Sequence, residues 1–439
     1  MFDSETAARL AICKSGGLLN GSTIIVKPSA TSVLAILGKT GGLTSSGDGL
    51  FSFFTTEEAC TLRLVCEEMR SQVSAFPWSD SKTRIMGNVG GWRKCFPLAT
   101  KANISVDDDM PTNSIVDADF EHFEGIHTLD MSYCFQEGIT DAAFAHLQGI
   151  HSLNMLGCWQ VTDAAFVHLE GIHSLNMSIC VQKGITDAAF IHLKGIHELI
   201  MDGCWLTDAA FVHLEGIHTL NISHCCQEGV TDAAFVHLKG IHTLKMSHCS
   251  QDGVTDAAFV HLKGIHTLDM EGCYQEGITD AAFVHLKGIR TLDMGDCCQD
   301  GITDAAFVHL KGIHTLNMSR CKQAGITNAA FVHMKGIYEL TMWACNQAGI
   351  TDAAFVHLEG IHTLDMSCCY QEGITVAAFA HFKGIQTLDM SDCDQMGITD
   401  DAVESLRGIQ TLNISGCDNS ALSSDFRAWL RSHVPSYAD

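Results

Sequence analysis

The apolar residues of this chain recur with a period of about 24 positions, and each period contains two different patterns. In the copy that spans 264–287, Leu268 and Met270 alternate with polar residues, which predicts a short strand with one buried face. Cys273 ends this strand phrase. Phe283 and Leu286, three positions apart, predict a short helix with an inward face. Each copy is therefore a strand followed by a helix, too small to bury both inward faces alone.

The cysteine at the end of the strand phrase marks thirteen copies between about residues 120 and 417. Most neighbouring marking cysteines are 24 residues apart, and two intervals are shortened, to 22 and 21. A fixed period in this range predicts a solenoid, in which every unit buries its apolar face only against its neighbours. The marking cysteines are Cys134, Cys158, Cys180, Cys204, Cys225, Cys249, Cys273, Cys297, Cys321, Cys345, Cys369, Cys393 and Cys417.

The polar residues of each copy predict where its helix begins and ends. Thr279 is placed to cap the helix, and Asp280 in the first turn suits the helix dipole. Gly288 follows the helix as a left-handed terminating residue. A glycine holds this place in all thirteen copies, which a requirement for positive φ explains.

The spacing of Ile265, Leu268, Met270 and Cys273 matches the leucine-rich repeat signature. The copies resemble the cysteine-containing class of leucine-rich repeat proteins. This resemblance covers roughly 70% of the chain, which is the length of the repeat array. The resemblance implies an α/β solenoid of horseshoe form, with a parallel β-sheet on the concave side and short helices on the convex side. It also implies that the horseshoe binds protein.

Composition divides the chain into four regions. Residues 1–48 are rich in Ser, Gly and Thr, and we expect them to be poorly ordered. Residues 49–110 have a helical pattern that predicts a small N-terminal cap, with an irregular opening strand at 102–106. Residues 111–418 form the solenoid. Residues 419–439 contain an amphipathic helix that predicts a cap for its open end.

The formal charge of −25 falls entirely on the part of the chain after residue 110. Such a surface repels phosphate groups, so we expect no nucleic-acid partner and no binding to anionic membranes. No apolar stretch is long enough to span a bilayer, and the N-terminus lacks the features of a secretory signal. Because thirteen of the 20 cysteines share one inward position, we expect reduced thiols and a cytoplasmic or nuclear location.

Two positions vary sharply between copies, the residue before each marking cysteine and the residue after it. They fall where the strand leaves the concave face for the ascending loop. Aromatic and Arg side chains at an exposed edge are typical interface anchors. The predicted partner-binding residues are Tyr133, Phe135, Trp159, Trp205, His248, Tyr274, Arg320, Trp343 and Tyr370.

Alternative explanations exist for these residues. Unconstrained loop positions diverge freely after duplication, which explains variation without any partner. Trp159 and Trp205 also lie in the two shortened copies, where a large ring could fill the space that the missing loop residues leave.

Of the 24 histidines, 12 occupy one recurring position in the helix and nine occupy another after the Gly-Ile pair. Metal sites need converging ligands of fixed number and geometry. One histidine per copy gives a line of ligands, so we predict no metal site and no cofactor. No phosphate-binding glycine loop, nucleophile elbow or His-Glu-x-x-His sequence is present, which predicts that the chain is not an enzyme.

The region from Leu50 to Trp78 resembles the later part of an F-box, without that family's usual opening helix. The resemblance implies that Leu50, Phe51, Leu62, Val65 and Met69 bind a Skp1-like adaptor. An F-box followed by leucine-rich repeats implies a substrate receptor of a Skp1–cullin ubiquitin ligase. The alternative is that these helices only cap the solenoid.

Three functions follow from the sequence. The first is a non-enzymatic scaffold that binds a protein through the concave face and the ascending-loop rim. The second is the F-box-type substrate receptor. The third is a structural subunit of a large assembly, which a long and nearly identical array would suit.

Overall fold

The computed structural model describes residues 51, 54–64, 67–106, 114–180, 184–225, 229–393, 398–418 and 420–438. The predicted poorly ordered segment 1–48 lies outside these residues. The described chain divides into two compact units, each with its own packed interior. The first unit contains the described residues up to Asn176 together with Gly184. The second contains residues 177–180 and the described residues from Ile185 onward.

The strands are three residues long and lie parallel, in chain order and in register within each unit. Leu268, for example, pairs with Leu244 on one side and Leu292 on the other. The strands of the first unit are β1 Lys101–Asn103, β2 Thr128–Asp130, β3 Ser152–Asn154 and β4 Ser174–Asn176. Those of the second are β5 Glu198–Ile200, β6 Thr219–Asn221, β7 Thr243–Lys245, β8 Thr267–Asp269, β9 Thr291–Asp293, β10 Thr315–Asn317, β11 Glu339–Thr341, β12 Thr363–Asp365, β13 Thr387–Asp389, β14 Thr411–Asn413 and β15 Ser436–Ala438.

The helical half of each copy is a single turn of α-helix, a 3₁₀ segment, or one followed by the other. The α-helices are α1 Thr56–Arg63, α2 Glu67–Ala75, α3 Val89–Cys95, α4 Asp163–Phe166, α5 Asp208–Phe211, α6 Asp232–Phe235, α7 Asp256–Phe259, α8 Asp280–Phe283, α9 Asp304–Phe307, α10 Asn328–Phe331, α11 Asp352–Phe355, α12 Asp400–Glu404 and α13 Ser424–His433. The 3₁₀ segments are Asp117–Phe123, Asp141–Leu147, Val167–Leu169, Asp187–Leu193, Val236–Leu238, Val260–Leu262, Val284–Leu286, Val308–Leu310, Val356–Leu358 and Val376–His381. The predicted leucine-rich repeat solenoid is confirmed.

The interior between strands and helices is filled by the positions that the sequence pattern assigns to it. Leu268, Met270, Cys273, Phe283 and Leu286 each expose at most 1% of their surface, and the equivalent residues of the neighbouring copies are buried in the same way. Burying such a side chain contributes about 1.5–3 kcal/mol. Within each unit the same layers therefore repeat along the sheet, and each copy supplies part of the core of its neighbour.

The marking cysteines point into this core, as predicted, and twelve of the thirteen are buried. Cys417, in the last copy, is partly exposed. The Cys273 thiol donates a hydrogen bond to the Met246 carbonyl of the preceding copy at 3.1 Å. Every cysteine among the described residues is free rather than disulfide-bonded. The thiols therefore serve as small buried groups that also satisfy a backbone acceptor.

The predicted ends of the helical segments are also confirmed. The Thr279 hydroxyl accepts a hydrogen bond from the Ala281 backbone N–H, as an N-cap does. The recurring glycine has φ between 76° and 94° in all thirteen copies. Gly288, at 91°, takes the left-handed conformation that ends the segment and returns the chain to the core.

The recurring aspartate has a second role that the sequence did not predict. Asp280 is partly exposed in the first helical turn, but its carboxylate bonds to the cap of the next copy. The Thr303 backbone N–H donates to Asp280 Oδ1 and the Thr303 hydroxyl to Asp280 Oδ2, both at 2.7 Å. We call this pair of bonds the inter-repeat clamp. Within the units it joins Asp117–Thr140, Asp141–Thr162, Asp187–Thr207, Asp208–Thr231, Asp232–Thr255, Asp256–Thr279, Asp280–Thr303, Asp304–Thr327 and Asp352–Thr375.

Two later copies depart from the clamp. Asn328 keeps both bonds by accepting from the Thr351 N–H and donating to its hydroxyl, each at 2.9 Å. Val376 has no polar group to offer Thr399, which caps only its own helix by bonding to the Ala402 N–H. A cavity of about 280 Å³ lies at this junction and is lined by Val376, Phe379, Thr399 and Ala402. The junction after Val376 is therefore the least tightly bonded of these.

Both ends of the described chain are closed by additional packing. Near the N-terminal end, Trp78 packs against Phe51, Phe76 and Phe96 at ring distances of 4.9–5.6 Å. At the other end, residues Ser424–His433 form the helix α13, with Leu430 fully buried. β15 then adds a final parallel strand beside β14, which the sequence did not predict. Of the described helices, none is both long enough and apolar enough to cross a bilayer.

Candidate functional site

In each of the two units, the candidate site is the edge of the sheet where a strand passes into the following loop. We call this edge the rim, and define it as the residue before and the residue after each marking cysteine, together with Trp343. In the first unit, the Phe135 and Trp159 rings are stacked, with centroids 5.9 Å apart and planes inclined by 23°. The Tyr133 ring lies over the next copy, where a Cβ added to Gly157 would be 2.9 Å from it. The glycine therefore makes room for the tyrosine.

In the second unit, two further contacts at the rim join neighbouring copies. The Arg320 guanidinium lies 4.3 Å from the centroid of the Trp343 ring, in a cation–π contact. The Tyr274 hydroxyl donates a hydrogen bond to Asp296 Oδ2 at 3.2 Å. These contacts therefore hold the side chains in place at the surface, where Tyr274 still exposes 50% of its area.

A pair of imidazoles lies further along the same rim. The His224 and His248 rings are 4.9 Å apart, and His224 Nδ1 is 2.9 Å from Asp202 Oδ1. Tyr370 is exposed, and its backbone N–H donates to Asn346 Oδ1 at 2.9 Å.

The two tryptophans in the shortened copies do not fill the space left by the missing loop residues. Trp159 exposes 53% and Trp205 exposes 62% of its surface. The space-filling explanation is therefore wrong, because both rings remain at the surface. Whether a partner contacts them stays a prediction.

The backbone of the rim is in an unusual conformation. The residue before the marking cysteine has φ between 55° and 59° in nine copies where it is not glycine. The conformation is fixed by a bond to the next copy, as when the Arg320 N–H donates to the Trp343 carbonyl at 2.7 Å. The nine residues are Tyr133, Ile179, His224, His248, Asp296, Arg320, Ala344, Cys368 and Asp392.

The residues predicted to bind an adaptor lie elsewhere. Phe51, Leu62 and Met69 are buried, with exposures of 0–1%, in the helical region near the N-terminal end. Leu50 and Val65 lie outside the described residues. A partner could not reach the three buried side chains in this conformation, so the implied direct contact through them does not fit the structure. Adaptor binding by this region stays a prediction.

The recurring histidines after the Gly-Ile pair stack into columns at the opposite edge of the sheet from the rim. In the second unit, His197, His218, His242 and His266 follow one another at 4.2–4.6 Å between ring centroids. Partial burial, followed by the neighbouring imidazoles His266 and His218, lowers the pKa of His242. The rings are parallel, so their nitrogens do not converge on one point as metal ligands must.

Among the described residues, one group of three potential metal ligands comes together, Asp269, Glu271 and Asp293, with one oxygen of each within 4.8 Å of the others. Three partly exposed carboxylates fall short of the six to eight oxygens that Ca²⁺ takes. We therefore assign no metal to them. The marking cysteines do not offer a nucleophile either, because burial raises the pKa of the Cys204 and Cys225 thiols to about 12.

The comparisons with known proteins show the fold. No protein-family model matches the sequence. No curated protein is recognisably similar to it in sequence. Among solved structures, the chain is similar to Toll of Drosophila in its complex with Spatzle, at 14% identity and a TM-score of 0.55, over 76% of this chain and 49% of that one.

Two other structures are similar to a comparable degree. TLR13 in complex with ssRNA13 has 16% identity and a TM-score of 0.56, over 79% of this chain and 54% of that one. An LRR protein of Leptospira interrogans has 13% identity and a TM-score of 0.56, over 77% of this chain and 95% of that one. The chain spans about half the length of the two receptors. The identities are low, so these likenesses establish a leucine-rich repeat fold alone.

Proposed function

We propose that this chain is a non-enzymatic scaffold that binds a protein partner through the rim and the adjoining exposed face of the sheet. The observation that carries the proposal is the left-handed backbone at nine non-glycine rim residues. For an L-amino acid this conformation costs about 1–2 kcal/mol. Glycine avoids that cost, and it fills the same place at Gly157, Gly203, Gly272 and Gly416. Side chains held there at a cost to stability are typical of functional positions.

The chemistry of the rim supports the same proposal. Tyr133, Trp159, Tyr274 and Tyr370 expose between 40% and 53% of their surfaces. Exposed aromatic rings, together with Arg320, are the side chains that most often dominate protein–protein binding.

Protein rather than nucleic acid is the partner that the charge of the chain favours. The Toll structure contains Spatzle and the TLR13 structure contains ssRNA13, and these ligands are properties of those two proteins. In this chain the formal charge of −25 opposes a polyanion. Because the described thiols are free and mostly buried, we also propose a reducing location, cytoplasmic or nuclear.

The experiment replaces Tyr133 and Arg320 with glycine, singly, in the full chain. Each change removes an exposed anchor and also relieves the left-handed backbone. We expect the free energy of unfolding to rise by up to about 1 kcal/mol, while the partner captured from an extract by wild-type protein is lost. Chemical denaturation and quantitative affinity capture measure the two effects.

Val284→Ala is the matched control. Val284 is an exposed residue of the helical segment, with 48% exposure, and is not part of the rim. Capture should be unchanged in this variant. A partner retained equally by wild-type protein and both glycine variants would contradict the proposal.

A narrower alternative is the F-box-type substrate receptor, supported by the resemblance of the region from Leu50 to Trp78 and by the helices α1 and α2. Because Phe51, Leu62 and Met69 are buried, the adaptor would have to bind other residues or open these helices. Co-purification of a Skp1-like adaptor with the full chain would support this role. Retention of the chain in a stoichiometric particle would instead support a structural subunit.

A further inference from the structure

The exposed face of the sheet in the second unit carries a strongly unequal charge. From β5 to β14, the residues that flank the buried Leu and Met positions include eight carboxylates and a single lysine, Lys245. All of these side chains are at least partly exposed. The carboxylates are Glu198, Asp202, Asp269, Glu271, Asp293, Glu339, Asp365 and Asp389.

The first concentration of charge lies on β8 and β9. Asp269 and Asp293 are direct neighbours in the register, and their carboxylates lie within 4.8 Å of that of Glu271. Asp269 accepts from the Glu271 N–H, and Asp293 accepts from the Gly295 N–H and the Asn317 amide. These donors are uncharged.

The electrostatic surroundings agree with this crowding. Burial, and then the negative charge of Asp293, raise the pKa of Asp269 and Glu271. Lys245 and His248 are the positive or titratable groups that act in the opposite direction on Asp269.

The second concentration lies on β12 and β13. Asp365 and Asp389 are again direct neighbours in the register. Asp365 accepts from Ser367, and Asp389 accepts from Ser391 and the Asn413 amide. Like charges directly opposite one another on adjacent strands are destabilising. The neutral donors leave these carboxylates charged, and Lys245, the register neighbour of Asp269 on β7, offsets only one of the three charges at β8 and β9. A cationic side chain from outside would therefore be attracted to both concentrations.

We infer that this face binds an extended protein segment that carries two pairs of Lys or Arg residues, one pair for each concentration of carboxylates. The inference rests on the proposed protein-binding function and specifies the chemistry of the partner. The two concentrations are four strand steps apart, about 19 Å at ~4.8 Å per step. An extended peptide advances ~3.3 Å per residue, so the basic pairs should be about six residues apart. Trp343 is partly exposed, follows β11 between the two concentrations, and offers an apolar contact.

The probe is a fluorescent peptide of about eight residues with two Lys-Arg pairs separated by four Gly or Ser residues, which places the pairs about six residues apart. Its binding to the full chain is followed by anisotropy. The variant protein combines Asp269→Asn, Glu271→Gln and Asp293→Asn. We expect it to bind roughly tenfold more weakly, the scale expected for losing three partly exposed ion pairs. The wild-type affinity should also fall as the salt concentration is raised from about 50 to about 500 mM, because the Debye length then shortens to a few ångströms and the charges are screened.

The matched control protein combines Glu170→Gln, Glu215→Gln and Glu359→Gln. It loses the same formal charge from three exposed residues at the ends of helical segments. Its affinity should stay within about twofold of wild type, because exposed charges beyond a Debye length are screened. A peptide with adjacent Lys-Arg pairs should bind more weakly than the spaced one.

Equal binding by the two triple variants would overturn the inference, as would competition by millimolar Ca²⁺ or Mg²⁺ strong enough to show a simple cation site. The asparagine and glutamine changes relieve repulsion, so the variant should unfold no earlier than wild type, which excludes misfolding as the cause of lost binding. If this peptide does not bind while Tyr133→Gly and Arg320→Gly still lose the natural partner, the proposed function stands and the basic segment is wrong.

Discussion

The helical edge and the rim of the same copies follow opposite rules. At the helical edge, an aspartate accepts two hydrogen bonds from the next threonine, and this arrangement recurs with little change from Asp187 to Asp304. At the rim, the residue before the marking cysteine changes from His248 to Asp296 to Arg320, although the left-handed backbone stays within 55–59° at these positions. One edge therefore has constant side chains that stabilise each junction. The other has a constant backbone that presents different side chains.

The largest effect should come from breaking a clamp. In the wild-type chain, the Thr303 N–H and hydroxyl each donate to an Asp280 carboxylate oxygen at 2.7 Å. Asp280→Ala leaves these two partly buried donors without an acceptor. We expect the free energy of unfolding to fall by about 2 kcal/mol, the usual cost of unsatisfied groups of this kind. Urea denaturation measures the change.

Asp280→Asn is the control for that experiment. Asn328 shows that an amide can make the same two bonds to the following threonine. The asparagine variant should therefore lose much less stability than the alanine variant. Equal losses in both would show that the negative charge in the first helical turn, and not the clamp, is what matters.

A smaller effect, of opposite sign, should come from installing the missing clamp. Val376→Asp places an acceptor beside Thr399, at the junction that now lacks one. We expect about 1 kcal/mol of local stabilisation. Native-state hydrogen exchange of the Thr399 and Ala402 amides should slow by roughly fivefold, because about 1.4 kcal/mol corresponds to tenfold. Val376→Ala is the size control, and unchanged exchange in the aspartate variant would contradict the prediction.

The smallest effect concerns pH and the histidine column. The pKa of His242 is lowered in the folded chain, so the unfolded chain binds the proton more readily. The contribution of this group to stability is therefore complete above about pH 6.5, the ordinary histidine value, and is lost as the pH falls through it. His242→Gln, which copies Gln386 and Gln410 at the same place, should reduce the drop in unfolding midpoint between pH 7.5 and 5.5. The same drop in both proteins would show that the stacked imidazoles do not oppose protonation.

Most of the fold could be predicted because it depends on contacts that repeat within one copy. Leu268, Met270 and Phe283 identify the core, and Gly288 identifies the turn, from their spacing alone. The clamp could not be predicted in the same way. Asp280 and Thr303 each fit the start of the helix in their own copy, so neither residue indicates a bond to another copy. Only their placement across a junction, 23 residues apart, shows that they bond to each other. β15 was missed because residues 436–438 carry none of the repeat pattern.

The candidate site was predicted less completely. Variation before and after the marking cysteine located the rim, and the exposure of Trp159 and Trp205 agrees with a surface position. The left-handed backbone was missed, although glycines at Gly157, Gly203 and Gly272 were a signal for it. The charged face was missed because Asp269 and Asp293 belong to different copies and become neighbours only through the register.

From Cys204 to Cys417, the thiol of every marking cysteine donates to a carbonyl of the copy before it, as Cys297 does to Met270 and Cys321 does to Met294. Every junction of this type offers the same donor and finds the same acceptor. Loss or duplication of the gene segment that encodes one 24-residue copy would therefore bring together two copies whose surfaces already fit each other. The array can change its length in this way while every junction keeps the same contacts. The length of the array is thus open to adjustment by recombination, independently of the side chains that it displays.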